Sequence, residues 1–511
     1  MVARLVLLYA AAAAAYTPRR RVQPPKALRR TARGGSAANE NGPASAASSS
    51  TRPASASQPA SEANGATATV QPTWAPLAPL GIGAATACLG ILYAAALQAS
   101  LRVIWSGLPA RRWLVPAITT AGGVAVGGVA VASKGFFGVG NFVAVARGAA
   151  PWPRARAIGP LLVASLLTTA TGLSVGPEAP MVAAGAVCGA AIARRYRLDE
   201  REAAFAGAAG ALTTFLGFPI AGAVFVHELV VPGADMAPRI APTALATVGA
   251  ALASGLLKGG NVGGHFNWGA VAPLSSRAYL LACGVGVVGA LVGGFFVAAC
   301  DQIRARSVPP SRRRELLVRA GAGLLAGLVA LRYPQSLFWG EQQCRNQAES
   351  VILRIEGALN FYFLTGEQSL QTAISGVSAP EKLLFPVALQ GARAAAPFGF
   401  GIGVAKLAAI ALAAGAGCPG GVIFPLFFAA GALAHGAIAA VPALPAATAA
   451  LLMAAVQASV TRTPLSTALM LAFSGNLGAT LTPLCAVSAY VGVWTARALS
   501  LPTLLCYPSE S

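Results

Sequence analysis

Between Ala203 and Cys300 the chain carries only five charged side chains: Glu228, Asp235, Arg239, Lys258 and Arg277. Soluble domains devote about a quarter of their residues to charge. This 511-residue chain is 10% charged and 56% hydrophobic, with a mean hydropathy of +0.64. Apolar runs so rarely interrupted imply a helical protein that crosses a membrane many times. A transmembrane β-barrel needs segments of about ten residues that alternate in polarity, and none is evident. The fold class is therefore an all-α polytopic membrane protein.

Apolar stretches occur at about 77–99, 113–133, 158–193, 203–231, 240–257, 278–300, 316–332, 383–415, 421–441, 446–473 and 477–500. Several exceed the ~20 residues that one span needs, and glycine and proline interrupt them. The run from Gly207 to Gly222 is rich in small residues, which let helices approach closely. More helices than runs are predicted, many of them tilted or incomplete. A more polar region, Pro334 to about Glu381, separates two halves.

The formal net charge of +21 does not point to nucleic acid. Residues 1–75 hold nine Lys/Arg and two Glu, which is +7 and leaves +14 for the rest. Much of that remainder lies in short clusters between apolar runs: Arg111-Arg112, Arg154 and Arg156, Arg194-Arg195 with Arg197, and Arg304 to Arg319. This is the loop pattern of a membrane protein with a basic flank. Residues 1–72 are predicted to be a leader outside the fold. An apolar Met1–Ala15 head is followed by an Arg-, Ser-, Ala- and Pro-rich stretch almost free of acids, as in transit peptides. Import into a plastid is expected, with a bipartite leader as the more specific version. The transmembrane domain is placed at 73–505, and no C-terminal regulatory domain is expected. The eight cysteines are scattered singly, so neither a metal site nor a disulfide framework is supported, and no cofactor is implied.

The candidate site follows from two breaks. The run Gly172 to Ala186 sets Glu178 between Pro177 and Pro180 inside an apolar span. A carboxylate at membrane depth costs ~3 kcal/mol or more and by default marks an ion or substrate path. Gly176 permits an unusual turn, and the prolines suit a first helical turn. The result is a helix N-terminus in the membrane, with free amides and a partial positive charge facing outward. In the other half, Gly417-Cys-Pro-Gly-Gly-Val-Ile-Phe-Pro425 repeats the logic, with the amides of Val422, Ile423 and Phe424 just ahead of a Pro-led helix. Paired breaks of this kind point to a transporter site made of half-helices. Backbone dipoles hold an anion weakly enough to release it. Glu178 is then a tethered anion: ionised it competes for the amides, and protonated it swings away. The plainer role for Glu178 is to cap the helix dipole.

These residues resemble the CLC family of chloride channels and anion/proton exchangers. Gly176-Pro-Glu-Ala-Pro180 is similar to that family's Gly-x-Glu-Gly-Pro motif, with Ala179 for the second Gly. Gly421-Val-Ile-Phe-Pro425 is similar to its Gly-x-Phe-x-Pro motif, with Ile423 where Phe is usual. Pro219 to Glu228 and Arg462 to Ser466 match two further family stretches, and the likeness covers roughly residues 76–500. It implies a CLC-type inverted-repeat bundle, a homodimer with one pore per subunit, and Glu178 as the gating glutamate. It also implies a voltage- or pH-gated channel for chloride or nitrate, with an anion/proton exchanger as the alternative. The family's first motif corresponds to Gly138-Val-Gly140, so Val139 stands where a Ser touches the anion. The exchanger's internal glutamate would fall at Leu229, leaving His227 and Glu228 as candidates for a proton path. The tyrosine that lines the anion site would fall near Leu477 or Gly478.

The anion-binding set is therefore Gly138, Val139, Gly140, Gly176, Gly421, Val422, Ile423 and Phe424, gated by Glu178. A cation or organic-solute carrier would show more buried acids and Asn/Ser. An intramembrane enzyme is not expected: there is no His-Glu-x-x-His and no pair of intramembrane aspartates, and Ser174 has no evident base.

Overall fold

The computed structural model describes residues 75–105, 113–217, 219–230, 240–258, 275–306, 311–339, 392–474 and 478–504. The leader read at 1–72, the bulk of the polar region between the halves and the stretch 383–391 lie outside the described residues. Fifteen α-helices occur among the described residues. The first half holds α1 (Ala78–Trp105), α2 (Leu114–Ser133), α3 (Val139–Ala146), α4 (Ile158–Ala170), α5 (Glu178–Tyr196), α6 (Glu200–Leu216), α7 (Pro219–Val230) and α8 (Ile240–Lys258). The second half holds α9 (Ser276–Ala305), α10 (Arg312–Arg332), α11 (Ala392–Gly415), α12 (Ile423–Ala440), α13 (Thr448–Thr461), α14 (Pro464–Ser474) and α15 (Gly478–Ala498).

Helices outnumber apolar runs because α3 lies outside every run and three runs split in two, each for a local backbone reason. The stretch 158–193 divides into α4 and α5 at Gly172, whose φ is 86°. The stretch 203–231 divides at Gly217, with φ 73°, and Pro219 opens α7. The stretch 446–473 divides at Arg462, with φ 61°, and Pro464 opens α14. A left-handed residue turns the chain back onto the last carbonyls of a helix, and proline loses nothing in a first turn. Arg462 is not glycine, and its side chain helps hold the turn by donating to the Leu501 carbonyl at 2.8 Å.

Five helices, α1, α2, α8, α9 and α12, contain stretches long and apolar enough to cross a membrane. Packing repeats between the halves. Helix α1 lies against α6 and α8, and α9 lies against α13 and α15. Likewise α5 packs on α6, and α12 packs on α13. Helices α2 and α10 pair across the halves, as do α7 and α14. The predicted inverted-repeat bundle of many incomplete helices is what the chain forms.

Small residues set these crossings. Where α5 meets α6, a Cβ on Gly207 would run into the Gly185 carbonyl oxygen and lie 3.1 Å from the Gly189 amide nitrogen. Both neighbours are helix backbone, so neither can step aside. Gly207→Val should therefore force the helices apart, at a cost of roughly 1–3 kcal/mol from overpacking. A lowered thermal unfolding temperature of the detergent-purified protein checks this.

Candidate functional site

The two sequence breaks meet. The Gly176 amide donates to the Gly421 carbonyl at 2.8 Å, and the Gly421 amide returns the bond to the Gly176 carbonyl at 2.5 Å. This antiparallel bridge is the one β-type pairing among the described residues. It places the N-terminus of α5, which starts at Glu178, beside that of α12, which starts at Ile423. The first amides of a helix have no intrahelical partner, so two sets of them converge. Each helix end carries roughly half a positive charge. At 4 Å and an effective dielectric of about 20, half a charge attracts an anion by roughly 2 kcal/mol. Gly176 and Gly421 spend their own amides on each other, leaving the next amides along each helix for a ligand.

Glu178 is fully buried, at 0% exposure. A Cβ placed on Gly176 or on Gly421 would collide with its carboxylate oxygens, and one on Gly421 would lie 3.1 Å from its Cδ. The carboxylate thus sits over the bridge, between the two half-helices. Neither of its oxygens has a hydrogen-bond partner among the described residues. Its carboxylate is packed against the two glycines of the bridge.

A cavity of about 450 Å³ surrounds it. Of the sequence-predicted residues, Gly138, Val139, Glu178, Gly421, Val422 and Ile423 line this cavity. Gly140, Gly176 and Phe424 do not; Phe424 packs edge-on against Phe427, with ring centroids 6.1 Å apart. Gly138 and Val139, at the start of α3, thus share the cavity with the first residues of α5 and α12. Leu229 also lines the cavity, as does Leu504, which follows α15. Leu477 lies outside the described residues, and the surroundings of Gly478 are not described.

Sequence reasoning missed two lining arginines. It read the cluster Arg304 to Arg319 as a loop flank, yet Arg304 ends α9 and Arg319 lies inside α10, and both reach the cavity. A Cβ on Gly417 would come within 3.3 Å of the Arg319 guanidinium. Each arginine pairs with an acid on its own helix, Asp301 at 3.3 Å and Glu315 at 3.4 Å. Helical spacing (i to i+4) was the only signal that could have found the second pair.

The proton-path candidates sit elsewhere. Glu228 accepts from the Leu465 amide at 2.9 Å, the Ser466 amide at 2.8 Å and the Ser466 hydroxyl at 2.6 Å. It caps α14 from the neighbouring helix α7 and does not line the cavity. His227 Nε2 lies 3.2 Å from the Thr243 hydroxyl, with its ring 5.5 Å from that of Phe205. Ser174 has the Gly-x-Ser-x-Gly spacing of a nucleophile elbow, but its hydroxyl donates to the Phe338 carbonyl at 3.2 Å.

That same carbonyl belongs to a second support that the sequence did not single out. Lys406 of α11 is fully buried, and its ammonium donates to the carbonyls of Ser336 at 3.4 Å, Leu337 at 3.0 Å and Phe338 at 2.5 Å. The Phe338 amide donates to the Gly172 carbonyl at 3.1 Å. Lys406 therefore gathers the turn after α10 and, through it, the chain leading into the Glu178 break. The carbonyls offset part of the cost of a charge at membrane depth.

Comparison with known proteins agrees with this geometry. A family model described as voltage gated chloride channel matches residues 148–497. A ClcB-like protein of Ralstonia nicotianae is 30% identical over 189 residues, 34% of this chain and 41% of that protein. The voltage-gated ClC-type chloride channel ClcB of Escherichia coli is 25% identical over 273 residues, 52% of this chain and 53% of that one. The chain thus spans about half or less of these curated relatives. Among solved structures, a CLC-type fluoride/proton antiporter matches with a TM-score of 0.64 and 18% identity, covering 83% of this chain and 96% of that one. A slow cyanobacterial Cl-/H+ antiporter gives 0.66 and 16%, covering 84% and 96%. At such identities the structures speak for the fold alone.

Two substitutions probe the arrangement. Gly421→Ala puts a methyl where the Glu178 carboxylate rests, so it should displace that carboxylate and raise ion leak in proteoliposomes severalfold. Lys406→Met strips three buried carbonyls of their donor, and should cost roughly 1–3 kcal/mol, read as a lower unfolding temperature.

Proposed function

We propose that this chain, which belongs to the voltage-gated chloride channel family, passes small anions such as chloride or nitrate through the cavity between α3, α5 and α12, with Glu178 as its gate. One observation carries the proposal: the Gly176–Gly421 bridge joins two helix N-termini around a buried carboxylate. An ionised Glu178 occupies the place where the dipoles would otherwise hold a mobile anion. Protonation removes the competing charge, the side chain withdraws, and an anion takes its place. The dipoles are fixed in the backbone and hold the ligand without a covalent or ionic partner, so release stays fast.

A channel is favoured over an exchanger because the cavity offers no second carboxylate among the described residues. Leu229 faces it without a titratable group, and Glu228 is engaged by the start of α14. The exchanger remains the second reading, favoured by the antiporters among the solved structures that share this fold. The protein would work as a homodimer in a plastid membrane, a placement that rests on the leader-like composition of residues 1–72.

Purified protein in liposomes tests both parts. Anion efflux should rise as pH falls and should move no protons against a gradient; stoichiometric proton transport would favour the exchanger instead. Glu178→Gln should abolish the pH dependence and raise efflux about tenfold, the equivalent of ~1.4 kcal/mol off the barrier. Unchanged efflux and pH response in that variant would remove Glu178 from the gate.

A further inference from the structure

A carboxyl group that withdraws within an apolar bundle needs a polar place to go, because an unpartnered polar group there is costly. Three buried hydroxyls between α1 and α4 supply one. The Tyr93 hydroxyl lies 2.8 Å from that of Ser165 and 3.4 Å from that of Thr169. Thr169 in turn donates to the Ser165 carbonyl at 2.5 Å.

Three helices bring this cluster to within one turn of the site. On α4, Leu161 lines the cavity and stands four residues before Ser165, on the same face. On α6, Leu212 lines the cavity, and Phe215, three residues on, meets the Tyr93 ring edge-on with centroids 6.0 Å apart. On α5, Met181 packs in one apolar cluster with Tyr93 and follows Glu178 by three residues. Tyr93 is close enough to feel the charge on Glu178. A change of rotamer thus carries the carboxyl from the bridge toward the hydroxyls with the backbone still.

The cluster suits one protonation state. When Ser165 donates to Tyr93, Tyr93 to Thr169 and Thr169 to the Ser165 carbonyl, all three protons are spent, yet each hydroxyl oxygen keeps an acceptor site. A carboxylic acid brings a proton and needs an acceptor, whereas a carboxylate needs donors. The ionised group is therefore better placed at the two helix N-termini, and the neutral acid at the hydroxyls.

We propose that Tyr93, Ser165 and Thr169 form the resting place of the protonated Glu178 side chain and act as positioning residues for the open path. This rests on the reading of Glu178 as gate and adds the position it opens to. The other groups around Glu178 do not supply the response. Arg304, Arg319 and Cys418 line the cavity, and none is a carboxylate. Helices α3 and α4 carry no charged residue. Cys88 and Arg102 of α1 and Arg156 before α4 are exposed. On α6, Glu200, Arg201 and Glu202 lie in the first turn, where Glu200 meets Arg194 at the far end of α5 at 3.5 Å. His435 is about three turns along α12.

The test is chloride efflux against pH from proteoliposomes holding the full chain. Tyr93→Phe and Ser165→Ala each remove a partner of the protonated carboxyl, which then binds its proton less tightly. The pH of half-maximal efflux should move toward acid by about half a unit to one unit. An unshifted profile in both folded variants overturns the proposal. Combined with Glu178→Ala, neither substitution should add a further change, since no carboxyl remains to be received. A loss of efflux of the same size in both backgrounds marks a packing role and also overturns it. Should Glu178→Ala alone keep the pH response of the unmodified protein, the gate reading itself falls, so the two failures are distinct. If Tyr93→Phe does not fold, Ser165→Ala decides.

Discussion

Two peptide hydrogen bonds between Gly176 and Gly421 hold this molecule's chemistry in place. Each joins a chain break in one half to a break in the other, and each break stands directly before a helix. Because the pairing is backbone to backbone, it fixes where the next amides along α5 and α12 can point. Side chains could not do this at the same distance. A Cβ at either glycine would occupy the space the Glu178 carboxylate takes. The requirement for glycine there is thus one of room for a neighbouring group.

Around the bridge, the fold supplies charge without supplying a strong ligand. Helix ends contribute partial charges that cannot move, and the arginines that line the cavity are tempered by Asp301 and Glu315. Apolar walls keep the local dielectric low, so modest charges act at full strength. On the proposed reading, attraction, release and gating then differ by a few kcal/mol, a range that one carboxylate can govern by gaining or losing a proton.

A second layer keeps the breaks where they are. Lys406 collects three carbonyls of the turn after α10, and that turn is tied by Phe338 to Gly172 and Ser174. Glu228 caps α14 from α7. Both are ionised-type side chains deep in an apolar bundle, and both are explained by orphan backbone groups that broken helices create. Interrupting a helix inside a membrane leaves amides and carbonyls that water cannot satisfy. Lys406 and Glu228 answer that need.

Hydropathy alone determined the membrane-crossing, all-helical class, because lipid admits few other solutions for apolar runs of this length. Glycine and proline determined where helices break, since their backbone limits act locally. Glu178 stood out because an unpaired carboxylate in such a run is costly wherever the chain goes. The sequence also led to Gly138 and Val139, although only through likeness to a known motif. What only the tertiary structure decided was which of these local features meet. Periodicity carries no signal that Gly176 would bond Gly421, that Arg304 and Arg319 would reach the cavity, or that Leu504 beyond the last helix would line it. Those contacts join residues tens to hundreds of positions apart, and their free energy comes from how helices cross, a property of the assembled bundle.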